Sequence, residues 1–174
     1  MNLKLVLPIK KIQVNDKTIS VPKFGVKQHN ILNSVKAAES HLRDLLQSIS
    51  PGLTAPEGEL VLLHVLQFNG RLKDKEIEGH TYSVDDVVIR QILTHQFQGN
   101  VFKFKSPQPF ETFASIDQML SELLVSVNDE KVDVDFMKMP AFVSKWADQI
   151  TYGIALDTHR GTIKGLTNIL GLFE

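Results

Sequence analysis

The stretch "TAPEGELVLLHVLQFNG", residues 54–70, constrains this chain more than any other. Leu60, Val61, Leu62, Leu63, Val65, Leu66 and Phe68 follow so closely that no helical or strand period leaves it a broad solvent face. An element apolar nearly all round lies at the centre of a core or under a partner. Thr54 as a cap, Pro56 in the first turn and Gly70 as a stop predict a helix; a buried strand is the rival. His64 sits inside the run and reads as a satisfied core histidine or a partner contact rather than a metal ligand. With 174 residues, 43% of them hydrophobic and 22% charged, the chain has enough material to cover such an element.

Upstream, "LKLVLPIKKIQVNDKTISVPKF" predicts a β-hairpin. Leu3, Leu5 and Leu7 alternate with other residues, Ile12 and Val14 continue the alternation, and Ile19 and Val21 resume it after the turn "NDK". Pro8 and Pro22 mark edges or strand ends. Ile31, Leu32, Val35, Ala38, Leu42, Leu45, Leu46 and Ile49 then recur at helical spacing, which predicts an amphipathic helix from about Gln28 to Ile49.

Downstream, "RLKDKEIEGH" reads as polar loop. "YSVDDVVIRQILTHQFQG" reads as a helix capped by Ser83, with Val87, Val88, Ile92, Leu93 and Phe97 on one face and Gly99 as its stop. "NVFKFKSPQP" predicts a short strand through Phe102 and Phe104. Ser115 and Gln118 match a capping box before an apolar run. The last helix falls near "MPAFVSKWADQI", with Phe142, Val143, Trp146 and Ile150 on one side.

Several chemistries are disfavoured. Nineteen Lys and Arg against twenty Asp and Glu, net charge −1, give no general attraction to nucleic acid or anionic membranes. No cysteine is present, which excludes disulfides, thiolate metal sites and a cysteine nucleophile. The apolar part of "MNLKLVLPIKK" is too short for a secretory leader, and no window approaches the ~20 apolar residues of a membrane helix. A soluble, cytoplasmic protein is the expectation.

The glycines of "HRGTIKGLTNILGLFE" do not make a phosphate loop: Gly161 and Gly165 enclose three residues instead of four, and Leu166 stands where the lysine belongs. The six histidines form no HExxH pattern. "NDEKVDVDF" fails as a calcium loop, since Val134 occupies the glycine position and Pro140 the twelfth. Phe102 and Phe104 among lysines lack the second strand that an RNA-binding sheet needs. The expectation is no catalytic residue, no cofactor and no metal. His41 with Asp44, or His80 with Asp85 and Asp86, are the first suspects for an enzyme built from scattered residues, the alternative reading. A nucleic-acid-binding module is a third.

The opening "LVLPIKKIQVNDKTISVPKFGVKQHNILNSV", with the later "FKFKSPQPFETF", resembles small tail proteins of T4-like bacteriophages, in the baseplate hub and hub-assembly group. The resemblance is carried mainly by the first fifty residues or so. It implies action by binding, as a hub component or a hub-assembly factor, with other phage tail or baseplate proteins as partners, in the virion tail or in the host cytoplasm during assembly. The chain lacks the paired cysteines of some tail-assembly relatives, so no zinc is implied.

The expected fold class is α+β: an N-terminal β-hairpin followed by a mostly helical single domain over 1–174, divided into a hairpin at 1–26, a mainly helical body at 27–158 and an apolar C-terminal tail at 159–174. Leu166, Ile169, Leu170, Leu172 and Phe173 of that tail are the expected partner-binding residues, with the hairpin edge second. Packing of the tail onto its own domain is the competing reading.

Overall fold

The structure, a computed structural model, describes residues 6–32 and 38–174. Strands β1 (Ile9–Val14) and β2 (Lys17–Pro22) pair antiparallel, Ile12 opposite Ile19 and Val14 opposite Lys17. Asn15 takes φ 53° in the two-residue turn, a conformation that asparagine tolerates. Ile12, Val14, Ile19 and Val21 are buried and the residues alternating with them are mostly exposed, as a two-residue period requires. Leu3 and Leu5 lie outside the described residues, and Leu7, ahead of the strand, is half exposed. Helices α1 (Val26–Leu32) and α2 (Ala38–Ile49) occupy the stretch read as one helix; Val35, between them, lies outside the described residues. Leu45 and Leu46 reach the core.

Helix α3 (Ala55–Phe68) is the element that the apolar run demanded. Thr54 precedes it, Pro56 stands in its first turn and Gly70 follows it at φ 73°. Residues 60–65 are buried without interruption because α3 has neighbours on several sides: α2, β1, β2 and, later in the chain, two strands of a second sheet. That is why it shows no polar stripe.

The remainder runs β3 (Lys75–Ile77), β4 (His80–Tyr82), β5 (Val88–Ile89), β6 (Thr94–Phe97), β7 (Asn100–Phe104), α4 (Ile116–Leu123), β8 (Leu124–Val127), α5 (Ser144–Thr151), β9 (Ile154–Thr158), β10 (Gly161–Lys164) and α6 (Leu166–Phe173). Strands β3 and β4 form a hairpin, β6, β7 and β8 an antiparallel sheet in that order, and β5, β9 and β10 another with β9 central. One apolar cluster gathers the β1–β2 hairpin, α2, α3, β9 and α6. A second gathers Phe102, Phe104, Leu120, Leu123, Phe136, Trp146 and Ile150 around β7, α4 and α5. His95 stacks on Trp146 there, ring centroids 5.0 Å apart.

Three expectations change. Seven strands, β3 to β9, lie within 27–158, so the body is mixed rather than mainly helical. The polar stretch after Gly70 is a hairpin, because Glu78 and Gly79 both take positive φ (50° and 80°) and supply the turn that matches strand twist. The helix expected over "SVDDVVIRQILTHQF" is one 3-10 turn (Val84–Asp86) and two strands. Ser83 does cap that turn, accepting from the Asp85 N–H. The β-branched run Val87-Val88-Ile89 then leaves helical geometry, and Val88 pairs with Ala155 of β9. Gln98 and Gly99, at φ 49° and 77°, form the next hairpin turn, so Gly99 is a turn residue and not a helix stop. Ser115 caps α4 as expected, accepting from the Gln118 N–H.

Candidate functional site

Where α3, α4 and α6 begin, the chain leaves a cleft of about 720 Å3. Ala55 and Glu59 of α3 form one wall, Ser115 with Ile116 and Met119 of α4 another, and residues 165–168 a third, with the 107–113 segment and Tyr152 along the rim. The 107–113 segment is anchored: the Ala55 N–H donates to the Pro107 carbonyl at 2.8 Å, Arg43 Nη2 donates to the Phe110 carbonyl at 3.0 Å, and the Gln108 N–H donates to Glu111 Oε2 at 2.8 Å. Phe110 itself takes φ 57°, which a bulky side chain avoids unless its surroundings impose it. Gly165, at φ 82°, brings the chain under the Tyr152 ring; a Cβ there would lie 2.8 Å from Tyr152 Cδ1.

Two glutamates on α3 are treated oppositely. Glu57 is buried. It accepts from Lys17 Nζ at 2.9 Å, from Asn15 Nδ2 at 3.1 Å and from the Thr54 N–H at 2.9 Å. Burial would raise its pKa; the bonds from Lys17, Thr54 and Asn15 outweigh burial and hold it below the ordinary value. These contacts fix the β1–β2 turn to the start of α3. Glu59, on the cleft wall, has no such company: its Oε2 is buried with no hydrogen-bond partner, and burial pushes its carboxyl up to about 7.

A carboxyl whose folded pKa exceeds its unfolded one stabilises fully below the unfolded value, and that contribution is lost as pH rises through the folded value. For Glu59 that window runs from 4.5 to about 7. Glu59→Gln is therefore expected to stabilise the protein at pH 8 by something on the order of 3 kcal/mol, and to change little at pH 4. Urea unfolding at the two pH values measures it.

The tail residues divide. Ile169 and Phe173 are 0% and 2% exposed, in the chain's own core. Leu166, Leu170 and Leu172 are half-buried against the same cluster. The reason is helical spacing: Leu166, Ile169, Leu170 and Phe173 fall on one face of α6, and that face meets β9 and β10. Leu166 also lines the cleft. The stretch read as a tail is thus a strand and a docked helix.

His80, Asp85 and Asp86 each turn to a different partner. Asp86 accepts from the Ser83 N–H and Asp85 pairs with Lys10 Nζ at 3.2 Å, while the His80 ring stacks on His159 at 4.9 Å. His41 and Asp44 lie on α2. His64 is buried with Nδ1 3.5 Å from Lys10 Nζ; burial first, then Lys10, lower its pKa to about 4. Among the described residues no three His, Asp or Glu side chains converge on a metal position, and no helix is long and apolar enough to cross a membrane.

Sequence reading missed Glu59 and also missed a clamp between hairpin tips. His159 Nε2 lies 2.6 Å from Glu78 Oε2, His159 Nδ1 lies 2.9 Å from the Tyr82 hydroxyl, and Arg160 pairs with Glu78. The His159 N–H also donates to the Tyr82 hydroxyl, so this network fastens the β9–β10 turn to β3 and β4. Thr54 followed three residues later by Glu57 was a legible capping signal. Nothing in sequence marked Glu59, which becomes distinctive only when residues 107–116 and 165–168 close around it.

The chain matches known proteins along its length. The family described as "Baseplate hub distal subunit" matches residues 21–173. The baseplate hub assembly protein gp28 of Enterobacteria phage T4 is 46% identical over 177 aligned residues, covering all of both chains. No solved structure matches. With its full length aligned to such a relative and nearly all of it matched by the family, the chain belongs to the phage baseplate hub distal subunit family.

Proposed function

We propose that this chain is a phage baseplate hub component or hub-assembly factor that works through contacts with other tail and baseplate proteins, without catalysis. The observation that carries the reading is 46% identity, over the full length of both chains, to a protein named for baseplate hub assembly. Its place of action is then the virion tail, or the host cytoplasm while the hub is built. The whole chain acts as one unit.

The docking surface we propose is the mouth of the cleft, to which Leu166 contributes with Phe113 and the half-exposed Ile116. Of the expected tail residues, Leu170 and Leu172 keep partial exposure and extend that surface along α6, while Ile169 and Phe173 serve it by holding the helix in place. An open, largely apolar cleft suits recognition of a protein segment. Balanced charge offers no electrostatic basis for nucleic-acid binding.

The test is affinity purification from infected cells, full-length chain beside Ile116→Asp, with co-purifying proteins identified by mass spectrometry. Ile116 opens α4, where an aspartate is compatible with the helix N-terminus. Identified baseplate proteins are expected with the unaltered chain and are reduced severalfold with the variant. Baseplate proteins recovered equally with both would remove the cleft from the reading, and none recovered with either would remove the assembly role.

A further inference from the structure

Among the described residues, Glu59 Oε2 is the buried side-chain atom left without a hydrogen-bond partner. Glu57, two residues earlier, shows what this chain does when it satisfies a buried carboxylate itself: a lysine, an asparagine and a backbone N–H converge on it. Around Glu59 no comparable donor appears; burial is the influence acting on it, with no charged neighbour contributing. A buried acceptor without a donor is costly; Oε2 itself is closed to solvent, but Glu59 is only partly buried and lines the cleft, so a donor from outside meets its side chain there.

The cleft around it defines that donor. An anionic ligand would meet Glu59 and, at the rim, Glu111. Above pH 7, where Glu59 is ionised, a neutral amide would leave its charge uncompensated. A free small amine would leave Phe113, Ile116 and Leu166 uncovered. A volume of about 720 Å3 accommodates more than one side chain.

We propose that a lysine or arginine side chain of a partner baseplate protein, carried on a segment with apolar neighbours, enters this cleft and pairs with Glu59. The inference rests on the docking reading above and gives it a chemistry. The cation supplies the missing donors, the flanking apolar residues cover the cleft mouth, and an ion pair shielded from water strengthens relative to an exposed one. Such a pair also gives selectivity, since a segment with the wrong central residue leaves the carboxylate unpaired.

The probes are four capped tripeptides, leucine on each side of a central lysine, arginine, glutamine or glutamate. Each is titrated at pH 8, where Glu59 is ionised, into the isotopically labelled full-length chain while amide resonances are followed. The lysine and arginine peptides are expected to shift residues 59, 108–116 and 165–168, and to bind at least fivefold more tightly than the glutamine and glutamate peptides. Glu59→Gln is expected to abolish that preference; its own resonance dispersion shows that it is folded. Equal binding of the lysine and glutamine peptides, absence of binding by both cationic peptides, shifts confined to another surface, or a preference that survives in Glu59→Gln would each overturn the proposal. Any of these with baseplate proteins still co-purifying sinks the cation pairing alone; loss of co-purification itself sinks the docking reading beneath it.

Discussion

A chain that stops at Arg160 should not fold, and Phe173→Ala alone should cost about 3–5 kcal/mol, the range for emptying a buried aromatic site. Phe173 is 2% exposed and Ile169 is 0% exposed, both within the cluster that surrounds α3. The Phe173 carbonyl also accepts from the Lys73 N–H at 3.0 Å, tying the C-terminal turn to the segment after α3. Truncation removes β10 as well, leaving β9 with only the two-residue β5 beside it. Small domains are stable by about 5–15 kcal/mol in all, so losing both apolar anchors and a strand exceeds what remains. Circular dichroism and urea unfolding check both. A truncated chain with a cooperative transition close to that of the full chain would mean that α6 is dispensable to the core.

The second large effect is at Gly153, between α5 and β9. A Cβ built there would overlap Pro56 Cβ and lie 3.0 Å from Pro56 Cγ, and the rigid proline ring of α3 has no rotamer into which to withdraw. The backbone has little room to yield, because the Gly153 carbonyl accepts from the Arg90 N–H at 2.7 Å. Gly153→Ala is expected to cost about 3 kcal/mol, the upper part of the overpacking range. Gly171 is the control. It lies within α6, nothing lies within 4 Å of its would-be Cβ, and its φ is not positive. Gly171→Ala should therefore stabilise by about 0.5–1 kcal/mol through helix propensity. Two Gly→Ala changes of opposite sign in one denaturation series separate backbone crowding from helix propensity.

Elements written in local sequence were legible. The alternation around "VNDK" gave β1 and β2, and the cap, proline and glycine around 54–70 gave α3. The Ser115 cap gave α4 its start. Those whose identity depends on distant partners were not. Val88 and Ile89 form a strand because Ala155 and Ile154 lie beside them, more than sixty residues later in the chain. The turns Glu78-Gly79 and Gln98-Gly99 carry a hairpin signal, yet next to charged or helically spaced residues they resembled a loop and a helix stop.

The candidate site was legible only at Leu166. The last residues read as an apolar tail with no helix predicted there, and apolar content does not say whether such residues meet their own core or another protein; Ile169 and Phe173 meet the core. The cleft draws together Ala55 and Glu59, residues 107–113, Ser115, Ile116 and residues 165–168. No local pattern links them. The Glu59 carboxyl becomes unusual through what surrounds it in space, while by composition it is an ordinary glutamate at the edge of an apolar run.

Hydrogen exchange on the chain alone and on the chain within its purified baseplate complex tests the central claim most directly. The account predicts slowed exchange at residues 107–116 and 165–168 in the complex, with α3 and the end of α6 already protected in the free protein. Unchanged exchange around the cleft, with protection gained on a different face, would contradict it.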